Sequence, residues 1–385
     1  MSFLGYHRLD GSVGVRNYVG IISTVSCAND VTWWISQQVK GTTRFLHQAG
    51  CSQMPSDLEH TTQTLISLGR NPNLAAVLLV SLGCEGVSVE RIREGIAKSG
   101  KPVEKVVIQR TGATVATKEG ITIAQRMVAE TLKLTQKEFD DSHLIIGVKC
   151  GASDTTSGLA ANPAVGATCD LIIDHGGTCV FGETTEFLGA EHILIRRAVN
   201  PHVAAKILEI VERMEKRAIA RGGDMRGGQP TAGNIAGGLT TIEEKSLGAI
   251  SKGGTKPIQG VYEYGERVEG KGLFIFDSPG REPEFLTALA AAGVQIALFT
   301  TGLGAPQGFP FIPVIKITGN PVTFKRLEEH LDILVELTHG TGSGLKATGK
   351  RIFREVLEVA SGKQTKAEMM GYGNFPGLFT VGPVI

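Results

Sequence analysis

The chain has 385 residues, room for two or three domains at roughly 100–200 residues each, and 42% of them are hydrophobic, enough apolar surface for real cores. Lys plus Arg number 39 against 38 Asp plus Glu, a formal net charge of +1, so no global field gathers nucleic acid or an anionic membrane and neither is expected as a partner. No run approaches the ~18 apolar residues of a membrane span, and the opening MSFLGYHRLDG lacks a basic stretch followed by an apolar core, so cytoplasmic residence is the expectation.

In chain order, short apolar runs ending in Gly, Ser or Cys alternate with amphipathic stretches, the rhythm of βα units around mostly parallel sheets. Strands are predicted at 18–25, 43–47, 76–82, 105–109 and 144–149, with shorter ones at 171–174 and 178–181. Apolar spacings of three and four predict helices at 56–69, 88–99 and 118–134. The segment PHVAAKILEIVERMEKRAIAR, 201–221, reads as a helix with Pro in its first turn and Gly222 and Gly223 past its end. It closes a first α/β domain, 1–221, which carries the cysteine-bearing strand ends. The glycine-rich stretch 222–254 reads as an ordered loop that opens a second α/β domain, 222–385. There, strands at 272–277, 295–300 and 314–318 alternate with helices at 282–292, 321–337 and 348–361, and the tail 365–385 shows no period and receives no role. The expected fold class is α/β, two Rossmann-like units with mostly parallel sheets joined by a glycine-rich segment. Glycine supplies 50 of the 385 residues, about 13% against a usual ~7%, and clusters just after apolar runs, where tight turns and close ligand approach need a residue without a Cβ.

Six cysteines are too few for a disulfide scaffold. Four of them, Cys27, Cys51, Cys84 and Cys150, sit at or just beyond the carboxyl end of a predicted strand. In open parallel sheets those ends share one edge, and ligand crevices form outside it, so the four sulfurs can meet. No CxxC pair is present, which argues against a zinc ribbon. A single cysteine is more often a small buried hydrophobe, and Cys169 and Cys179 are assigned to packing on that ground. Four at strand ends shift the balance. Thiolates arriving from several strands suit iron, either as an iron–sulfur cluster or in a mononuclear site.

Several other residues stand close by in the sequence. Glu85 follows Cys84, Asp154 lies in CGASD, and Glu183 and Glu186 lie in GETTE. Each is more often a solvated charge or a helix cap, and Asp154 fits an N-cap for the stretch after it. His47, shortly before Cys51, can ligate a metal or move a proton, although a lone strand-end His more often does neither. The run AGNIAGGLTTIEEKSLG, 232–248, offers backbone N–H groups, threonine hydroxyls and Lys245 as a nest for an anionic substrate group, and matches neither a Walker motif nor GxGxxG.

Together these segments resemble the altronate and galactarate dehydratases, sugar-acid hydro-lyases that need divalent iron. The similarity runs from DGSVGVRN (10–17) through STVSCAN, HQAGCSQ, LGCEG, KCGASDTTSGLAANPAVG and HGGT to GNIAGGLTTIEEKSLG. It continues in YGERV, SPG, FTTGLGAP and GKQT (362–365), covering almost the whole chain. Single-chain members carry a small N-terminal β-rich domain before the DGxxGVRN segment, whereas nine residues precede Asp10 here. The resemblance therefore implies the large subunit of a split enzyme, paired with a separate small protein, and it allows a homo-oligomer. A related two-subunit enzyme eliminates sulfite from sulfolactate, which leaves the leaving group open; the STVSCAN segment is nearer the altronate type.

The activity so implied is that of a lyase dehydrating a sugar acid such as altronate, with galactarate as an alternative, to a 2-keto-3-deoxy acid. The cofactor is iron, as Fe2+ or an iron–sulfur cluster. Removing the C2 proton and expelling the 3-hydroxyl calls for a Lewis acid at the carboxylate and 2-hydroxyl, a base, and an acid for the leaving group. On this reading some of Cys27, Cys51, Cys84 and Cys150 hold iron, and His47 is the first choice for acid or base, with Glu85 and Asp154 as alternatives. Asn234, Thr241 and Lys245 orient the substrate. A non-enzymatic alternative is an iron-binding regulatory subunit whose thiols hold iron without catalysis.

Overall fold

The computed structural model describes residues 1–337 and 343–384. Its strands are β1 (Ser2–His7), β2 (Val13–Gly14), β3 (Tyr18–Ser23), β4 (Thr42–Phe45), β5 (Leu74–Ser81), β6 (Val103–Val107), β7 (Lys137–Asp140), β8 (Ile145–Gly151), β9 (Thr178–Phe181), β10 (Ile258–Tyr262), β11 (Gly272–Phe276), β12 (Ile296–Thr301), β13 (Val314–Thr318) and β14 (Ile333–Leu334). Two parallel sheets dominate, one of four strands in the order β4-β3-β5-β6 and one of seven in the order β10-β11-β9-β8-β12-β13-β14. A small antiparallel sheet, β2-β1-β7, sits beside them. None of the described helices is long and apolar enough to cross a membrane.

Burial on both faces explains the strand composition. Every residue of β5, LAAVLLVS, is buried, and its side chains alternate between two cores. Ala76, Leu78 and Val80 pack with the helices Asn29–Gln38 and Ala113–Thr131, whereas Val77 and Leu79 pack with Pro55–Gly69 and Val89–Ala97. The second of these cores continues into the seven-stranded sheet through Phe274, Phe276 and Phe299, so the two sheets share it. Two buried asparagines pin the seam: the Asn71 amide donates to the carbonyls of Ala290 (2.8 Å) and Val294 (2.9 Å), and that of Asn73 to Gln295 and Phe311 (both 2.9 Å).

The mixed sheet membership bears on the expected domain division. β8 and β9 pair with β12 and β11, which come from the other side of residue 221, so a boundary there passes through one sheet. The helix Pro201–Ile219 packs on β10. The glycine-rich stretch after it is not an open loop. It holds the helices Ala232–Ala236 and Ile242–Ile250, started by Thr231, whose hydroxyl and Asn234 form a reciprocal cap, and by Thr241, whose hydroxyl accepts the Glu244 N–H. Residues 171–174, expected as a strand, are the end of the helix Asn162–Asp174; a short apolar run does not distinguish the two. The helix expected over 321–337 stops at Arg326, and β14 follows on the sheet edge.

Candidate functional site

β3, β4 and β5 lie side by side, and the loop after each carries a cysteine: Cys27, Cys51 and Cys84, all exposed thiols. Glycine lets these loops converge. Gly50 has φ +106, and a Cβ there would stand 2.8 Å from the Val25 Cα of the neighbouring loop. Ser52, directly after Cys51, adopts the left-handed conformation at φ 50, an arrangement concentrated at functional sites. The Ser26 N–H donates to the Ala49 carbonyl (3.0 Å), the Gly86 N–H to the Gly50 carbonyl (2.9 Å) and the Thr24 hydroxyl to Glu85 Oε1 (2.6 Å). The three thiol-bearing loops thus form one hydrogen-bonded rim. Their sulfurs have few partners: Gln109 Nε2 donates to Cys84 Sγ (3.0 Å), and Ser52 Oγ lies 3.7 Å from Cys51 Sγ.

His47 and Glu85 hold this rim in place. His47 is buried, its Nε2–H donates to the Ser23 carbonyl (2.8 Å), and its Nδ1 accepts the Ala49 N–H (3.1 Å). Burial pushes its pKa down to about 4. With both ring nitrogens spent on backbone, the ring is a neutral brace, and its expected role as the acid or base is corrected accordingly. Burial works against the charge on Glu85, but the hydroxyls of Ser81 and Thr24 and the Gly83 N–H (2.6 Å) outweigh it and lower the carboxyl pKa.

Cys150 lies elsewhere. It is a residue of β8, paired in register with Thr300, and it is buried. Its thiol donates to Glu186 Oε2 (2.8 Å) and its N–H to Glu183 Oε2 (3.0 Å). The Lys252 ammonium donates to Glu183 (2.7 Å) and Glu186 (2.8 Å) and lies 3.1 Å from the Cys150 sulfur, while Lys149 donates to Glu183 Oε1 (2.8 Å). Two ammonium groups therefore balance two buried carboxylates. Burial opposes the charge on Lys252, but Glu183 and Glu186 hold its pKa well above the usual lysine range; burial, seconded by Glu186, pushes the Cys150 thiol well up.

Donor atoms of Cys150, Glu183 and Glu186 lie within 4.8 Å of one another, close enough for one ion, and among the described residues no other such trio exists. Of the four cysteines from which iron ligands were expected, three are exposed and Cys150 is set apart: it is buried, and Glu186 and Lys252 wall in its thiol. Its trio already has its cation, the Lys252 ammonium, and does not fit a divalent metal while that group stands among the donors. The rim fits iron better, because its three thiols are exposed and hold no cation.

Asp154 anchors a further cleft of about 580 Å³. As an N-cap it accepts the Ser157 N–H (3.1 Å) and the Thr156 hydroxyl (2.7 Å) on Oδ1, and the Asn320 amide (2.9 Å) on Oδ2. Gly302 and Gly237 make room for it, since a Cβ at either would stand 2.7 and 2.9 Å from the Asp154 Cβ. Thr241 and Lys245 line the same cleft, and Asn234 stands behind them, donating to the Ser153 carbonyl (2.9 Å) and accepting from Lys245 Nζ (3.2 Å). The fold thus gathers Asp154, Asn234, Thr241 and Lys245, and leaves them apart from the thiol rim.

Beside the rim is a cleft of about 660 Å³ between the two sheets, lined by Ser26, His47 and Gln48 from one sheet edge and by Arg281 and Glu284 after β11. Residues 374–377 close it on a third side. The tail that carries them is tied across it: the Gln48 amide donates to the Leu378 carbonyl (2.7 Å), and Asp57 accepts the N–H groups of Val381 (3.0 Å) and Gly382 (2.7 Å). Burial raises the Glu284 carboxyl pKa, and Arg281 pairs with it at 3.3 Å. Neither residue was singled out from the sequence; the turn SPG directly before them was the signal available.

Comparison with known proteins agrees with this architecture. Residues 5–132 match the family model described as D-galactarate dehydratase/altronate hydrolase, second domain, and residues 141–381 the one described as D-galactarate/altronate dehydratase, C-terminal. The chain is 37% identical to the (2R)-sulfolactate sulfo-lyase subunit beta of Chromohalobacter salexigens over 97% of this chain and 96% of that one. It is 33% identical to the altronate dehydratase of Bacillus subtilis (95% of this chain, 75% of that one). With the galactarate dehydratase (L-threo-forming) of Escherichia coli it shares 31% identity (100% and 77%).

Proposed function

We propose that this chain, which belongs to the D-galactarate/altronate dehydratase family, is the large subunit of an iron-dependent carbon–oxygen lyase that removes water from a sugar acid such as altronate. The observation that carries this reading is the rim of three exposed thiols, whose Ser26, next to Cys27, also lines the cleft that holds Arg281 and Glu284. Cys27, Cys51 and Cys84 would hold the iron. Bound there, iron supplies Lewis acidity toward the carboxylate and hydroxyl oxygens of a hydroxy acid. The exposed Arg281 guanidinium would receive the substrate carboxylate, for which its planar fork is suited. Glu284, whose raised pKa keeps its proton to higher pH, delivers that proton to the departing hydroxyl. Glu85 stays ionised at the rim, where its oxygens accept from the Thr24 hydroxyl and the Gly83 N–H and brace the loop that carries Cys84. The work is placed in the cytoplasm, where thiols stay reduced.

A second reading, elimination of sulfite from sulfolactate, is favoured by the near-equal length and 37% identity with the sulfo-lyase subunit beta. That relative is itself one subunit of an enzyme, which also supports a separate partner here, the small β-rich protein that the family resemblance implies. The test is to co-express the chain with such a small subunit, load iron anaerobically, and follow 2-keto acid and sulfite release from altronate, galactarate and sulfolactate. Keto-acid formation from altronate without sulfite supports the first reading; sulfite release supports the second. Iron binding with no turnover of any of the three leaves the regulatory-subunit reading. Arg281→Ala raises KM if the carboxylate sits between the sheets, whereas Lys245→Ala raises it if the Asp154 cleft takes the acid.

A further inference from the structure

We propose that Cys27, Cys51 and Cys84 are the three protein ligands of one iron–sulfur cluster, that one of its irons has no protein ligand, and that Cys150 takes no part. This rests on the iron-dependent reading above and specifies the kind of centre and its donor set.

The donor count follows from elimination within the molecule. Cys150 is enclosed by Glu186 and Lys252, and Cys169 and Cys179 are buried. His47 has both nitrogens engaged by backbone, and Glu85 has one oxygen on the Thr24 hydroxyl and the other on the Gly83 N–H. What remains on the rim is three thiols from three adjacent strand ends. The spacing of those thiols selects between a single ion and a cluster. Ligands of one ion crowd around it, yet the only trio of donors within 4.8 Å among the described residues is the one at Cys150. In a four-iron cluster each thiolate binds a different iron, so the protein sulfurs stand further apart than the ligands of one ion. The loops are also held before any iron arrives, by the contacts of Gly50 on Val25 and by the hydrogen bonds from Ser26 to Ala49 and from Gly86 to Gly50. Three protein ligands for a four-iron cluster would leave one iron without one, and the Cys27 loop reaches the inter-sheet cleft through Ser26.

The test uses the full chain with its partner subunit, reconstituted anaerobically with ferrous iron, sulfide and a thiol reductant. We expect about four irons and about four acid-labile sulfides per chain, with broad absorption near ~400 nm and an electron paramagnetic resonance signal after reduction. Cys27→Ser, Cys51→Ser and Cys84→Ser each lower bound sulfide at least roughly tenfold, while Cys150→Ser keeps the spectrum; circular dichroism confirms that each variant is folded. Should one of the three variants unfold, its alkylation by iodoacetamide in the wild-type chain, with and without the cluster, gives the same answer. A colourless protein with about one iron and no sulfide overturns the proposal, as does equal loss in Cys150→Ser. The two readings fail separately: turnover by a sulfide-free protein sinks the cluster and leaves the lyase, whereas an intact cluster with no turnover sinks the lyase alone.

Discussion

The carboxyl edges of the two parallel sheets present the same residue type in opposite states. On the four-stranded sheet the cysteines lie past the strand ends, in loops that glycines draw together, and their thiols face solvent. On the seven-stranded sheet Cys150 is still inside the strand, one position before its last residue, and its thiol is locked among Glu183, Glu186 and Lys252. The difference is one of backbone placement and charge. A thiol becomes available for a metal where the ladder has ended; within the ladder it is buried, and the groups around it must already be neutralised.

Removing a buried counter-charge is the harshest way to break this comparison. Lys252→Met leaves the carboxylates of Glu183 and Glu186 short of their cation in a fully buried site, and we expect about 3–5 kcal/mol loss of stability by urea denaturation. If added divalent metal restored that stability, the trio at Cys150 would be a metal site after all. The pH dependence of stability comes next. The unfolded chain binds a proton at His47 below pH 6.5, whereas the folded chain does not until about 4, so on acidification the unfolded state holds more protons and folding weakens. The loss from this residue is about 3 kcal/mol, spread between pH 6.5 and 4 and absent above pH 7. Denaturation of His47→Gln across that window reads it, and a profile as steep as the parent's would show that His47 is not the brace described.

Asp154→Asn keeps the size of the side chain and weakens the cap that accepts from Thr156, Ser157 and Asn320. About 1–3 kcal/mol is expected from thermal melts, with little change in bound iron. Loss of iron together with stability would merge the two clefts that the fold keeps apart. The smallest effect belongs to the tail. Gln48→Ala removes the pair of hydrogen bonds to Leu378, worth about 1 kcal/mol, and hydrogen exchange at 378–384 should quicken while the rest of the chain is unchanged.

Much of this was legible in the sequence. The apolar runs ending in Gly, Ser or Cys did mark strands, because parallel strands buried on both faces must be apolar throughout. Asp154 as an N-cap followed from its place before Thr155. The strands β1, β7 and β10 were missed, since β7 and β10 are sheet edges and β1 has one exposed face, so none has such a run. Predicting the end of β8 at Lys149 is what placed Cys150 outside the sheet. The clue was Lys149 itself: a lysine within LIIGVKC needs a buried carboxylate, and Glu183 in GETTE supplies it. Lys252 in SKGG had no such signature, and the pairing of the rim with Arg281 and Glu284 depends on how two sheets pack, which no local pattern encodes.

Differential alkylation of the cysteines tests the division between the two edges most directly. In metal-free native protein, iodoacetamide followed by peptide mass spectrometry is expected to modify Cys27, Cys51 and Cys84 and to spare Cys150, Cys169 and Cys179; anaerobic iron loading then protects the first three together. Modification of Cys150 as fast as Cys84, or rim thiols that label equally well with and without iron, would contradict the account.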